Sequence, residues 1–183
     1  PDPVTRAELQ ELVNSGDESA LAERMIPLEF GTAGIRREVG AGPGRMNRAV
    51  VIRTSRGLAD YLASQDRGNG LVVVGYDGRT DSRRFAEDAV AVLRVSGLSV
   101  HCFEGVTPTP LVAHAAHRLG ATAAVVVTAS HNPPRDNGYK VYDANGAQIV
   151  PPVDANIAAA IAKVGPASGV PRLDGFDGES PSV

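Results

Sequence analysis

The chain has 183 residues, 43% hydrophobic and 21% charged, with a formal net charge of −3, which suits one folded domain with end segments and excludes a disordered or fibrous chain. No Lys/Arg excess is interleaved with aromatics, so nucleic acid is not an expected partner. No apolar run reaches the ~18 residues that span a bilayer, the opening PDPVTRAELQ lacks a secretion-signal order, and Cys102 stands alone, so a cytoplasmic setting with no membrane partner is expected.

Val4 to Met25, rich in Glu, Leu and Ala, reads as one or two short helices broken around Asn14 to Asp17. Residues 1–27 are thus expected to form a helical arm. FGTAGIRREVGAGPGR follows at 30 to 45, where five glycines and a proline rule out a regular helix and indicate a tightly turning or functional loop. Asn47 is a candidate N-cap for a helix over Arg48 to Gln65, with Val51, Thr54, Leu58, Tyr61 and Leu62 at helical spacing.

From Gly70 the pattern alternates. Leu71 to Tyr76 reads as a strand, Ser82 to Ser96 as a helix capped by Asp81 or Ser82, Ser99 to Phe103 as a strand, Thr109 to Leu119 as a helix begun at Pro110, and 121 to 128 as a buried strand. Strand and helix in alternation predict a parallel sheet covered by helices. The loop ASHNPPRDN is too short for a parallel crossover, so the strand Gly138 to Tyr142 is expected to run antiparallel to its predecessor. Asp154 to Val164 closes the pattern as a helix. The fold class expected is α/β, three layers α/β/α, with a mostly parallel four-stranded sheet whose last strand is antiparallel. Residues 28–165 make this domain, and 166–183 read as a linker toward an absent second domain. The chain begins on Pro1 and runs out on GESPSV, and it is expected to be trimmed from a longer one.

Strands of a parallel sheet end on one edge, where open α/β sheets bind ligands. YDGRTDS at 76 to 82, EGVTPTP at 104 to 110 and TASHNPPRDN at 128 to 137 meet there. Two of these loops lead into helix N-termini, which favour an anion. Each also has a plain reading: a strand-to-helix turn, a helix start, or an Asn-Pro turn with local backbone bonds. A serine hydrolase is disfavoured, because Ser130 lacks the flanking glycines of a nucleophile elbow and His131 directly follows it. His114 and His117 show no third ligand and are not read as a metal pair.

TASHNPPRDNGYK at 128 to 140 resembles the active-site serine loop of the phosphohexomutase superfamily of phosphoglucomutases and phosphomannomutases. FGTAGIR at 30 to 36, GYDGRTDS at 75 to 82 and TPTP at 107 to 110 agree in order. NGYKVYDANGAQIVPP and Ala33 resemble the phosphopentomutase-like branch most. The resemblance implies the first domain of a four-domain mutase, in which a phosphoserine at Ser130 exchanges a phosphoryl group with sugar monophosphates through a bisphosphate. It implies Lys140 as general acid/base, and Arg36 and His131 as further catalytic and phosphate-binding groups, with Arg79 supporting the loops. It also implies Mg²⁺, held by the phosphate on Ser130 and by aspartates of a D-x-D-x-D segment in an absent domain. No such segment occurs in the sequence, and Asp174 and Asp177 echo it with the wrong spacing. The competing reading is a phosphosugar-binding module without catalysis.

Overall fold

In the computed structural model, which describes residues 2–173, valine and alanine decide where the sheet lies. Val72, Val73 and Val74 are buried in sequence, as are Val125, Val126 and Val127. Strands apolar on both faces need a cover on each side. The elements supply it: α1 (Pro3–Ser15), α2 (Glu18–Met25), β1 (Ile35–Glu38), α3 (Arg48–Ser64), β2 (Leu71–Tyr76), α4 (Ser82–Val95), β3 (Ser99–Cys102), α5 (Thr109–Arg118), β4 (Ala123–Val127), β5 (Asp136–Asp143) and α6 (Val153–Lys163). No helix among the described residues is long and apolar enough to cross a membrane.

The sheet has five strands in the order β1-β5-β4-β2-β3. β2 pairs in parallel with β3 and β4, whereas β5 is antiparallel to both β4 and β1. Only β5 therefore runs against the others. The three-layer α/β fold and the reversed strand agree with expectation, but the strand count of four does not. The extra strand, β1, hides in the glycine-rich segment. It is four residues long with a single neighbour and a positive-φ Gly34 just before it, too short for period-two alternation to stand out.

The larger core lies beneath α3 and α4, where Leu58, Leu62, Phe85 and Leu93 meet Val74, Val125, Val127 and Tyr139, and Ile157 of α6 joins them. Each such buried aliphatic or aromatic side chain contributes roughly 1.5–3 kcal/mol. On the opposite side, Val112 and Ala116 of α5 pack on Val73, Ala124 and Val126. Helix α5 covers β2 and β4, while Lys140 and Tyr142, on that side of β5, remain half-buried. Lys140 thus stands on a strip of the sheet that α5 leaves open.

Asn47 caps α3 as expected: its Oδ1 accepts the Val50 amide at 3.0 Å. Its Nδ2 donates to the carbonyls of Gly40 and Gly42 at 2.9 and 2.8 Å, so the same residue also ties down the loop before the helix. The cap expected at α4 is absent, because Asp81 sits at φ 64° with no side-chain cap bond and Ser82 turns its hydroxyl to Asp77 instead. Arg48 joins α3 to α4 with a two-pronged bond to Asp88 at 2.7 and 2.6 Å.

Cys102 is buried, and burial pushes its thiol up to about 11. A thiol neither ionised nor exposed is inert. The native chain should leave a disulfide reagent such as DTNB unreacted over hours and release one equivalent promptly in denaturant. Asp174 and Asp177 lie outside the described residues.

Candidate active site

β4 ends at Val127, and the next three residues set the site. Asp77, just past β2, donates its amide to the Val127 carbonyl at 3.1 Å, which brings the loops after β2 and β4 together. The loop after β3 joins them through the Thr107 amide to the Tyr76 carbonyl at 2.9 Å and the Tyr76 hydroxyl to the Glu104 carbonyl at 2.6 Å. The three loops therefore share one edge, as parallel strands require.

Asp77 is fully occupied. Its Oδ2 accepts from Thr128 Oγ1 at 2.6 Å and from Arg79 Nε at 3.1 Å, and its Oδ1 accepts from Ser82 Oγ at 2.6 Å and the Arg79 amide at 3.1 Å. Thr128 passes the constraint on, accepting the Ser130 amide on Oγ1 at 2.8 Å. Ser130 is held at φ 60° and is exposed. A non-glycine residue in that region stores about 1–3 kcal/mol of strain.

Arg79 opposes that strain. Its guanidinium donates to the carbonyls of Ser130 (2.8 Å), Asn132 (2.8 Å), Pro133 (2.7 Å) and Asp136 (3.0 Å). A planar fork of donors suits four converging carbonyls better than a point-charge ammonium could. The expectation that Arg79 supports the loops agrees with this geometry. Asn137, wholly buried, completes the frame by donating to the Thr80 carbonyl at 2.9 Å and accepting the Gly138 amide at 2.7 Å.

Lys140 returns to the same edge because β5 is reversed. Its Nζ lies 3.5 Å from Ser130 Oγ, the outer limit of a hydrogen bond. Partial burial lowers the pKa of this amine, and the charge of Arg36 lowers it further. Arg36 is opposite Gly138 on β1, two residues from Lys140, and so shares its face. Its guanidinium makes no ion pair or hydrogen bond among the described residues, unlike Arg79 and Arg37. His131 is exposed beside Ser130, and its ring likewise bonds to no other group among the described residues. The structure thus gathers Ser130, Lys140 and Arg36 and sets His131 at their margin.

Gly138 makes room for this. A Cβ there would stand 2.6 Å from the carbonyl oxygens of Ile35 and Thr128 and 2.7 Å from Arg36 Cγ. Backbone atoms in a ladder cannot yield, so Gly138→Ala should cost about 2–4 kcal/mol in urea unfolding. Asp77, Thr128, Asn137 and Gly138 are the supporting residues that the sequence reading did not single out. Their only signal was membership of motifs that also read as ordinary turns.

No group of three or more His, Cys, Asp or Glu stands together among the described residues, and His114 and His117 on α5 gain no third ligand. Both Asp77 oxygens are engaged within the protein. A divalent cation at Ser130 would need most of its ligands from outside residues 2–173.

Residues 27–167 match the phosphoglucomutase/phosphomannomutase alpha/beta/alpha domain I family. The chain belongs to this family. It is 44% identical over 165 residues to a probable phosphoribomutase of Schizosaccharomyces pombe, covering 88% of this chain and 28% of that protein. It is 40% identical over 169 residues to phosphopentomutase of Mus musculus, covering 87% and 27%. Among solved structures, a putative phosphomannomutase from Thermus thermophilus superposes with a TM-score of 0.68 at 35% identity, over 75% of this chain and 30% of that one. The chain thus spans less than a third of the length of these relatives.

Proposed function

We propose that this chain is the serine-bearing first domain of a phosphosugar mutase, with the missing domains of the same protein as its partners. Ser130 carries a phosphoryl group and donates it to a free hydroxyl of a sugar monophosphate. The P–O bond to serine breaks, a P–O bond to the sugar forms, and the proton given up by the sugar hydroxyl passes through the Lys140 amine to the departing Ser130 oxygen. The resulting bisphosphate turns over and returns its other phosphate to the serine, with Lys140 carrying the Ser130 hydroxyl proton back to the departing sugar oxygen. Arg36 braces the transferring group, and His131 orients it. The carrying observation is the exposed, positive-φ Ser130 with the Lys140 amine 3.5 Å from its hydroxyl. Phosphoryl transfer demands alignment and cations more than new covalent chemistry.

The phosphate on Ser130 would present an oxygen to Mg²⁺, and ligands beyond this domain would complete the shell. When bound, the ion neutralises charge on the transferring phosphoryl. Residues 166–183 would be the linker, in sequence, to those segments, and the domain alone would not turn over substrate. Relatives named phosphoribomutase and phosphopentomutase favour a pentose phosphate.

The test assays the full-length protein with ribose 1-phosphate, glucose 1-phosphate and mannose 1-phosphate in Mg²⁺, with peptide mass spectrometry at Ser130. Turnover of at least one sugar, fastest for ribose, together with phosphoserine at that position is expected. Binding of all three without turnover would establish the non-catalytic module instead.

A further inference from the structure

Three glycines of the segment 40–44 do not face the site at all. A Cβ on Gly40 would meet Arg24 Nη1 at 2.5 Å, one on Gly42 the Arg24 carbonyl oxygen at 2.6 Å, and one on Gly44 the carbonyl oxygens of Glu23 and Ile26 at 2.7 Å. These glycines are small because the N-terminal arm lies on them. The arm also bonds there: Glu8 Oε2 accepts the Ala41 amide at 2.8 Å, and Glu8 Oε1 accepts from Arg24 Nη1 at 2.6 Å. The Gly44 amide donates to the Arg24 carbonyl at 2.8 Å, and the Leu28 amide to that of Pro43 at 3.1 Å.

The contacts continue toward the site. Glu23 takes a bond from buried Arg45 at 2.9 Å and one from Arg37, the neighbour of Arg36, at 3.3 Å. Glu38 at the end of β1 pairs with Arg45 and with Arg135 of the serine loop, both at 3.8 Å. The Val39 amide donates to the Arg135 carbonyl at 3.0 Å. β1 is an edge strand of four residues with one neighbour, a length that holds poorly by its own ladder.

We infer that the α1–α2 arm is a buttress for the site, in which Glu8, Glu23 and Arg24 act as positioning residues that hold the segment 40–45, and through it β1 with Arg36 and the serine loop, in register. The inference rests on the mutase reading for the role of Arg36 and Ser130, but its structural half stands apart from it. The second half of the glycine-rich segment is then a seat for the arm and not a cradle for phosphate.

The experiment is hydrogen exchange by mass spectrometry on the 183-residue chain, comparing the parent with Glu8→Ala, Glu8→Gln and Gly42→Ala. A Cβ on Gly42 would stand 2.6 Å from the Arg24 carbonyl oxygen, so its substitution displaces the arm without altering any arm side chain. Both alanine variants should speed exchange at 34–46 and 128–138 by about tenfold while 71–76 and 123–127 keep the parent's rate. Glu8→Gln, which keeps an acceptor for the Ala41 amide, should recover most of the protection. In the full-length protein, kcat should fall about tenfold for both alanine variants with KM little changed. Faster exchange confined to residues 3–25, or equal loosening of the central strands, would overturn the buttress. The expected exchange pattern in a full-length protein that turns over none of the three sugars would support it and count against the mutase reading alone.

Discussion

Under the proposed mutase function, Ser130→Ala in the full-length protein should lower phosphosugar turnover by about four orders of magnitude or more, without unfolding the chain. Ser130 is exposed, and among the described residues its hydroxyl's one hydrogen-bond approach is that of Lys140 at 3.5 Å, so no core packing is lost. What would be lost is the atom proposed to carry the phosphoryl group, and neither Lys140 nor His131 could replace a hydroxyl oxygen aligned with the acceptor. Ser130→Gly sharpens the test. Glycine adopts positive φ without penalty, so at φ 60° it should raise stability by about 0.5–1 kcal/mol while abolishing turnover as completely as alanine. Opposite signs in unfolding midpoint and kcat would mark strain retained for chemistry. Retention of the parent's rate by Ser130→Ala would end the assignment.

The second large effect falls on Arg79. Its guanidinium joins four loop carbonyls to Asp77, and its side chain is only 14% exposed in that pair. Arg79→Ala leaves those acceptors and a carboxylate short of donors at once, which should cost about 3–5 kcal/mol. Ser130 would then relax from its left-handed conformation, and turnover should fall by about 10²–10³-fold. Arg79→Lys should recover little of either, since an ammonium cannot span the four oxygens as a flat fork does. Thermal unfolding and kcat of the three proteins decide this, and a fully active lysine variant would refute the clamp.

Helix positions were legible because their signals are local and repeated. Asn47 before Val50 and Val51, the periodic face of α3, and the alternation from Gly70 onward all carry many residues of pattern. The reversal of β5 was legible from loop length alone. β1 was not, since Ile35–Glu38 takes its structure from Gly138 and Tyr139, about a hundred residues on. The site divides in the same way. Ser130, His131, Lys140 and Arg36 could be proposed because the motifs that hold them resemble those of a known family, whereas residue types alone left the serine loop readable as a turn. Asp77 and Thr128 looked like turn residues because their bonds are to each other across 51 positions. Asp81 looked like a cap, but Ser82 is drawn away by Asp77, a partner that local pattern does not reveal.

The serine loop runs into β5 and not into a helix, so no helix N-terminus of its own follows Ser130. Negative charge placed there must be met by side chains, each on a tether that can swing. Compared with a phosphate seated on a helix terminus, one attached to Ser130 would lean on those side chains and on cations supplied from beyond residues 2–173.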